Sequence, residues 1–186
     1  MISYLWRVIN NPMDKITFST RLQRERDKFE LLLNRVGFTR QMTMVGVLGS
    51  LSIKDMLVDI LTREQFIADR LSEILHGEIY SPCTSHTALE YFQNKYGYPD
   101  YESPLLEKEK RNHLVTYKHK NIGLDDIVEK ELAAYSNILD SFQKLTLDHC
   151  LDHDLFHRAA EHTYKPYRRM SHEINFWLNS ITAESK

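Results

Sequence analysis

The sequence predicts an all-α protein that forms a single helical bundle, and three observations support this prediction. Apolar residues recur at spacings of three and four over long segments, and no segment carries the alternation typical of strands. The chain has only six glycines and five prolines, and these lie mostly between the periodic segments. Its 186 residues, 42% of them hydrophobic, suit one domain with one core.

The first predicted helix follows Asn11 and Pro12, an N-cap residue and a proline suited to the first turn. Asp14 adds a negative charge where the helix dipole favours one, and Gly37 ends the pattern. The predicted apolar stripe consists of Ile16, Leu22, Phe29, Leu32, Leu33 and Val36.

The second predicted helix begins with a capping box, in which Ser52 and Asp55 bond to each other's backbone amides. It ends at His76 and Gly77, since a glycine readily adopts the left-handed conformation after a helix. Its predicted buried face consists of Ile53, Met56, Leu57, Ile60, Leu61, Ile67, Leu71, Ile74 and Leu75.

Residues 78–104 form a long connection that is rich in tyrosine and interrupted by prolines. A short helix is predicted near Thr87 to Lys95. Long connections in compact domains either cover the core or form a lid over a site. A cover is favoured here, because aromatic rings bury a large area whatever else they do.

Two further helices are predicted before the last one, at Leu105 to His119 and at Leu124 to Leu145. The second of these has a stripe of Leu124, Ile127, Val128, Leu132, Tyr135, Ile138, Leu139 and Phe142. After residues 146–160, the last helix is expected to bury Tyr164, Tyr167, Ser171, Ile174, Trp177 and Leu178.

The composition excludes several classes of protein. A net charge of −2 gives no general attraction for nucleic acid, which would need a local basic patch. No apolar run approaches the roughly 20 residues that cross a membrane. The start of the chain does not match a signal peptide, so Cys83 and Cys150 are interpreted as inert free thiols in a cytoplasmic protein.

Residues 46–66 resemble the start of the second helix in DinB-like four-helix bundles. That helix usually follows a glycine and the pattern Trp-Ser-x-x-Asp, with a metal-binding histidine four residues later. Ser52 and Asp55 match this pattern, Leu51 replaces the Trp, and Asp59 stands at the histidine position.

The last helix resembles that of the same superfamily, in which two further histidines complete the metal site. If Ile174 marks the register, Pro166 and Met170 take those two positions. The resemblance therefore implies a chain with no metal site and no cofactor.

The segment from His162 to Leu178 resembles the ClbS/DfsB family, a branch of this superfamily. The matching residues are Thr163, Pro166, Tyr167, Ser171, Asn175 and Trp177. The resemblance implies an up-down-down-up bundle with a long connection after the second helix. It places one domain at residues 14–180, between an N-terminal extension of residues 1–13 and a tail of residues 181–186.

What is known of ClbS-like proteins implies a metal-independent hydrolase that inactivates a strained electrophile in self-resistance. Asp59 would then be catalytic, and His162, Pro166, Tyr167 and Met170 would line a pocket for a small molecule. DfsB-like members are implied to be precursors of a lethal factor and not enzymes. The alternative is therefore a non-catalytic helical module that binds a small ligand or a protein partner. The sequence does not indicate an oligomeric state.

Several residues have a second interpretation. Asp59 can simply pair with Arg63 one helical turn later. Pro166 either kinks a continuous helix, which is the favoured prediction, or lies in the first turn of a helix. His149, His153 and His157 have the spacing of zinc ligands on a helix, but without a fixed third ligand this is a weak signal.

Overall fold

The computed structural model describes residues 14–37, 39–107 and 119–184. Within these residues the protein is all-helical and has no strand beyond an isolated bridge between Leu48 and Leu51. The helices are α1 (Lys15–Val36), α2 (Thr39–Met42), α3 (Ile53–Leu75), α4 (His86–Tyr96), α5 (Leu124–Lys144), α6 (Leu147–Asp152), α7 (Leu155–His162) and α8 (Tyr164–Glu184).

The ends of α1 are set by Asp14 and Gly37. The Asp14 side chain accepts a hydrogen bond from the Thr17 amide, so Asp14 is the N-cap and the prediction of a cap at Asn11 is wrong. Gly37 ends the helix as predicted, with a φ of 84° that few other residues tolerate. One member of the predicted stripe, Ile16, is exposed.

Helix α3 confirms the predicted capping box and the predicted end. The Ser52 hydroxyl accepts from the Asp55 amide, and the Asp55 carboxylate accepts from the Ser52 amide. The helix stops at Leu75, and Gly77 has a φ of 74°. This helix carries more buried residues than any other described helix, which makes it the central element of the core.

Helix α1 runs in the same direction as α8 and opposite to α5. Arg21 and Glu25 contact Tyr164 and Arg168, so both residue numbers increase along the α1–α8 interface. In contrast, Gln23 bonds to Tyr135 while Arg26 bonds to Glu131. Residue numbers therefore run in opposite senses along the α1–α5 interface.

Helix α3 runs opposite to α8 and in the same direction as α5. Asp59 lies near Arg169, whereas Glu64, further along α3, bonds to Tyr167. Near its start, α3 is tied to the chain just before α5 by a bond from Lys54 to the Lys120 carbonyl. At the other end a cleft is lined by residues 68–76 together with residues 137–144.

The inner face of the last helix agrees in part with the prediction. Tyr164, Tyr167, Ile174 and Trp177 are buried, while Ser171 and Leu178 are only half-buried. On α5 the predicted stripe is too wide, because Val128 and Leu132 are exposed. The buried residues of α5 form a narrower stripe because, among the long helices, it packs mainly on α3 and only weakly on α1.

The predicted proline kink is wrong. Helix α7 ends at His162, and Thr163 leaves helical geometry with a φ of −124° and a ψ of −99°. Helix α8 then begins at Tyr164, so Pro166 lies in its first turn, where the missing amide proton is not needed. The interruption at Thr163 avoids the clash that Pro166 would make with the His162 carbonyl in a continuous helix.

Residues 78–104, which we call the cover, pack over the core beside α3 as predicted. They contain α4 where the short helix was predicted. They surround Arg70, which is fully buried and bonded to Glu73. Its guanidinium carbon lies 4.5–5.3 Å from the ring centres of Phe66, Tyr80, Phe92 and Tyr96. Rings that stack on a buried cation in this way hold the cover on the helix.

Parts of the prediction lie outside the described residues. These are the N-terminal extension, residues 1–13, and most of the helix predicted for Leu105 to His119. At the other end α8 continues to Glu184, so the predicted tail at 181–186 begins within a helix. None of the described helices is both long enough and apolar enough to cross a membrane.

Candidate functional site

Asp59 lies on α3 at the edge of the interface with α8, and its side chain is 14% exposed. Its Oδ2 accepts from Arg63 Nε at 2.9 Å and lies 3.6 Å from a terminal nitrogen of Arg169. Its Oδ1 is buried and has no hydrogen-bond partner among the described residues. The simple pairing with Arg63 is therefore present, and one carboxylate oxygen stays available in addition.

Arg63 connects Asp59 to the cover. Its guanidinium carbon lies 4.7 Å from the centre of the Tyr101 ring. The Tyr101 hydroxyl in turn forms a hydrogen bond of 2.6 Å with the Thr62 hydroxyl, which also donates to the Val58 carbonyl. The cover thus brings Tyr101 next to the face of α3 that carries Asp59.

His162, the last residue of α7, is buried against Tyr101 and Phe66. Its ring centre lies 4.9 Å from that of Phe66 and 5.8 Å from that of Tyr101. Nε2 lies 3.7 Å from a carboxylate oxygen of Glu102, while Nδ1 is buried without a partner among the described residues. Burial lowers the pKa of His162 although Glu102 acts to raise it, so the ring is neutral near pH 7.

Glu102 is held by Arg158 as well as by His162. Arg158 donates to both carboxylate oxygens, at 2.8 and 3.0 Å. Burial acts to raise the pKa of Glu102, but its bonds to His162 and Arg158 outweigh burial and lower the pKa below its ordinary value. Glu102 is therefore an ionised anchor for the histidine and not a proton donor.

We call these residues the Asp59–His162 cluster: Asp59, Thr62, Arg63, Tyr101, Glu102, Arg158, His162 and Arg169. The sequence predicted Asp59 and His162 as site residues, and a chain of contacts through Arg63 and Tyr101 joins them. Tyr101, Glu102 and Arg158 were not predicted. They come from the cover and from α7, and no motif marks them in the sequence.

The other predicted pocket residues lie elsewhere. Tyr167 points to the centre of the protein, where its ring stacks on Phe29 at 5.5 Å and its hydroxyl donates to Glu64. Met170 is buried in the core, and Pro166 is buried in the first turn of α8. The structure brings His162 alone of these four into the cluster around Asp59.

A second polar cluster, at the centre of the protein, was missed by the sequence analysis. Arg26 donates to both carboxylate oxygens of Glu131 at 2.6 Å, and its guanidinium lies 3.9 Å from Glu64 and 4.0 Å from the Tyr135 ring centre. Glu64 is fully buried. Burial, followed by the negative charge of Glu131, raises the pKa of Glu64 well above its ordinary value and so favours the protonated carboxyl group.

The sequence did contain a signal for this central cluster. Glu64 lies four residues after Ile60 and three before Ile67, within the apolar stripe of α3. Arg26 and Glu131 occupy equivalent stripe positions on α1 and α5. A charged residue on the buried face of a helix needs a partner from another helix, and three such residues on three helices indicate one shared cluster.

The remaining candidate groups do not form a reactive centre. Burial, with a smaller contribution from Asp100, raises the pKa of Cys83 to about 11, and burial raises the pKa of Cys150. Both thiols therefore disfavour the reactive thiolate. The predicted histidine series does not lie on one helix, because Asp154 with a φ of 50° separates α6 from α7. The described part of the chain contains no group of three or more His, Cys, Asp or Glu residues that could hold a metal ion.

Comparison with protein-family models, with curated proteins and with solved structures finds no match to this chain.

Proposed function

We propose that this chain is a cytoplasmic DinB-like four-helix bundle of the ClbS/DfsB type, and that it inactivates a reactive small molecule by metal-independent hydrolysis. The directions of the four long helices support the bundle. Helices α1 and α8 run one way and α3 and α5 the other, which is the up-down-down-up order that the resemblance implies. The cover, which connects α3 to the chain before α5, also agrees with that resemblance.

The observation that carries the proposed activity is the asymmetric environment of the Asp59 carboxylate. Oδ2 is held by two arginines, whereas Oδ1 is buried and has no partner within the described chain. A buried oxygen of this kind can accept a hydrogen bond from a water molecule and orient it. The guanidinium of Arg63, fixed on the Tyr101 ring, keeps the carboxylate in one orientation.

In the proposed reaction, the oriented water attacks a carbon of a strained three-membered ring. Asp59 takes a proton from the water as the new carbon–oxygen bond forms. The bond from that carbon to the ring heteroatom breaks, its electron pair stays on the heteroatom, and the heteroatom then takes up a proton. The positive charges of Arg63 and Arg169 stabilise the negative charge that develops on the heteroatom.

The second candidate function is a non-catalytic module that binds a small ligand or a protein partner. It is favoured by the pairing of Asp59 with Arg63, which an ordinary helix surface also shows. It is also favoured by two clefts, one between α3 and α5 and one between α1 and α8, since Asp59 lines neither of them.

The test compares wild type with Asp59→Asn and with Asp152→Asn, a matched change at an exposed aspartate on α6. The three proteins are incubated in ¹⁸O-labelled water with a panel of strained electrophiles that includes styrene oxide, and the diol product is measured by mass spectrometry. We expect one solvent oxygen in the product, and a rate about 100-fold lower for Asp59→Asn because the general base is lost. Asp152→Asn should equal wild type.

Equal turnover by wild type and Asp59→Asn would remove Asp59 from the mechanism. No turnover by wild type across the panel would favour the binding module. The unfolding transition of each variant is measured in parallel, because an Asp59→Asn protein that does not fold would not report on catalysis.

A further inference from the structure

A cleft of about 310 Å³ lies between α1 and α8, away from the Asp59–His162 cluster. We call it the α1–α8 cleft. The residues that line it include Glu25, Lys28, Leu31, Leu32, Arg35 and Arg168. Three of these side chains are cationic and one is anionic, so the cleft is positive although the whole chain carries a net charge of −2.

Two of the cleft's cations, Lys28 and Arg168, contact one buried carboxylate. Glu25 is 4% exposed and accepts from Lys28 at 3.2 Å and from Arg168 Nε at 2.9 Å. Arg24 also donates to it, at 3.2 Å. Burial acts to raise the pKa of Glu25, but the bonds to Lys28 and Arg168 outweigh it, so the pKa is lowered and Glu25 stays ionised. One negative charge therefore holds three positive charges in place, and two remain uncompensated.

These cations have N–H groups that no described residue uses and that can donate hydrogen bonds to a ligand. Arg168 uses only Nε for Glu25, and its two terminal nitrogens have no partner within the described chain. The side chains of Lys28 and Arg168 are 61% and 52% exposed, so both reach solvent from an anchored position. Arg35 extends the positive surface along α1, at the end where the helix dipole is negative and favours a cation.

We propose that the α1–α8 cleft binds the phosphate group of a small molecule. Several cations that converge on one place suit a dianion with three acceptor oxygens better than they suit a carboxylate. The volume is at the lower end of the range for small-molecule pockets, which argues against a macromolecule. Leu31 and Leu32 give the cleft an apolar wall for a short non-polar part of the ligand.

This site does not depend on the proposed hydrolase activity, because no residue of the Asp59–His162 cluster lines the cleft. It also explains how a chain without an overall positive charge can attract an anion. The sequence shows Arg24, Lys28 and Arg35 on one face of α1, but it also shows acids between them. Only the packing of α8 adds Arg168 to that face and turns Glu25 into a buried anchor.

The experiment titrates the full chain with inorganic phosphate, with phenyl phosphate and with acetate, and follows backbone amide shifts by NMR. We expect saturable shifts of residues 168–175 with both phosphates at concentrations up to about 10 mM. Acetate should bind about tenfold more weakly, because it carries one charge and two oxygens.

Three variants test the assignment. Arg168→Gln and Lys28→Gln should each weaken the binding of phosphate about tenfold, through loss of a charge-assisted hydrogen bond. Lys130→Gln removes a lysine that is exposed on α5 and should bind as wild type does. Phosphate binding that is equal in Arg168→Gln and Lys130→Gln would overturn the proposal. So would the absence of saturable shifts in wild type, and so would acetate binding as tight as that of phosphate.

Discussion

Tyr167 on α8 donates a hydrogen bond to the Glu64 carboxyl group on α3, at the centre of the protein. Both side chains are almost fully excluded from solvent. Glu64 Oε2 is buried and has no hydrogen-bond partner among the described residues, while Arg26 is committed mainly to Glu131. The hydrogen bond therefore joins two helices through a carboxyl group whose pKa burial raises.

This arrangement predicts that wild type loses stability as the pH rises above the ordinary Glu64 pKa of 4.5. Below that pH, Glu64 is protonated in both the folded and the unfolded chain. Above it, the unfolded chain releases the proton while the folded chain, with its raised pKa, retains it. The free energy of unfolding then falls by at most about 1.4 kcal/mol per pH unit, until the folded pKa is reached.

The variant Glu64→Gln isolates this effect, because glutamine cannot ionise but still accepts from Tyr167. We expect Glu64→Gln to gain stability relative to wild type as the pH rises from the ordinary Glu64 pKa of 4.5 towards the raised pKa of the folded protein, as measured by urea unfolding followed by circular dichroism. Glu129→Gln, at an exposed site on α5, is the matched control. A stability difference between Glu64→Gln and wild type that does not change with pH would contradict the prediction.

Trp177→Ala should destabilise the protein by about 3–5 kcal/mol, because Trp177 is 6% exposed and its removal leaves a cavity in the core. The neighbouring Phe176 is 70% exposed, so Phe176→Ala should change the free energy of unfolding by less than about 0.5 kcal/mol. Urea unfolding of the two variants tests which face of α8 is buried. A loss below about 1 kcal/mol for Trp177→Ala would place this residue on the surface.

Arg70→Ala should cost about 3–5 kcal/mol and loosen the cover at residues 78–104, since it empties a space enclosed by four aromatic rings. Hydrogen exchange measured by mass spectrometry should show that the variant exchanges faster than wild type in the cover, while exchange in α1 changes less. Lys95→Ala is the control, because Lys95 is exposed and contacts Tyr96 from outside the cage. Unchanged exchange in the cover would mean that Arg70 does not hold it.

Cys83 should react slowly with iodoacetamide in the folded protein. Its pKa of about 11, compared with an ordinary 9.0, lowers the thiolate fraction near neutral pH about 100-fold. The rate is measured by mass spectrometry in native buffer and in urea, where the thiol regains its ordinary pKa. Similar rates in the two conditions would show that burial and Asp100 do not suppress the thiolate.

The helices were predictable because their signals are local. The capping box at Ser52 and Asp55 lies within four residues, and Gly37 and Gly77 act through their own backbone angles. The errors come from weaker local signals. Asn11 and Asp14 are both suitable N-cap residues near the start of α1, and the sequence does not decide between them. The apolar stripe of α5 does not show which of its residues another helix covers, and Val128 and Leu132 remain exposed.

The candidate site was predictable only in part. Asp59 and His162 were named from a resemblance, and the structure joins them through Arg63 and Tyr101. Glu102 and Arg158 could not be predicted, because 56 residues separate them and their pairing depends on how the cover meets α7. Whether Asp59 acts in catalysis stays a prediction.

The sequence by itself determined that the chain forms helices, where α3, α4 and α5 begin and end, and which faces of the long helices are apolar. These properties depend on backbone geometry and on spacing within a few residues. Only the tertiary structure decided which charged groups meet, because those contacts join distant segments. It raises the pKa of Glu64 by burying it between helices, encloses Arg70 in aromatic rings, and gathers Lys28 and Arg168 around Glu25. Desolvation and charge pairing act through space, so the chemistry of these residues is set by their neighbours in the fold and not by their position in the chain.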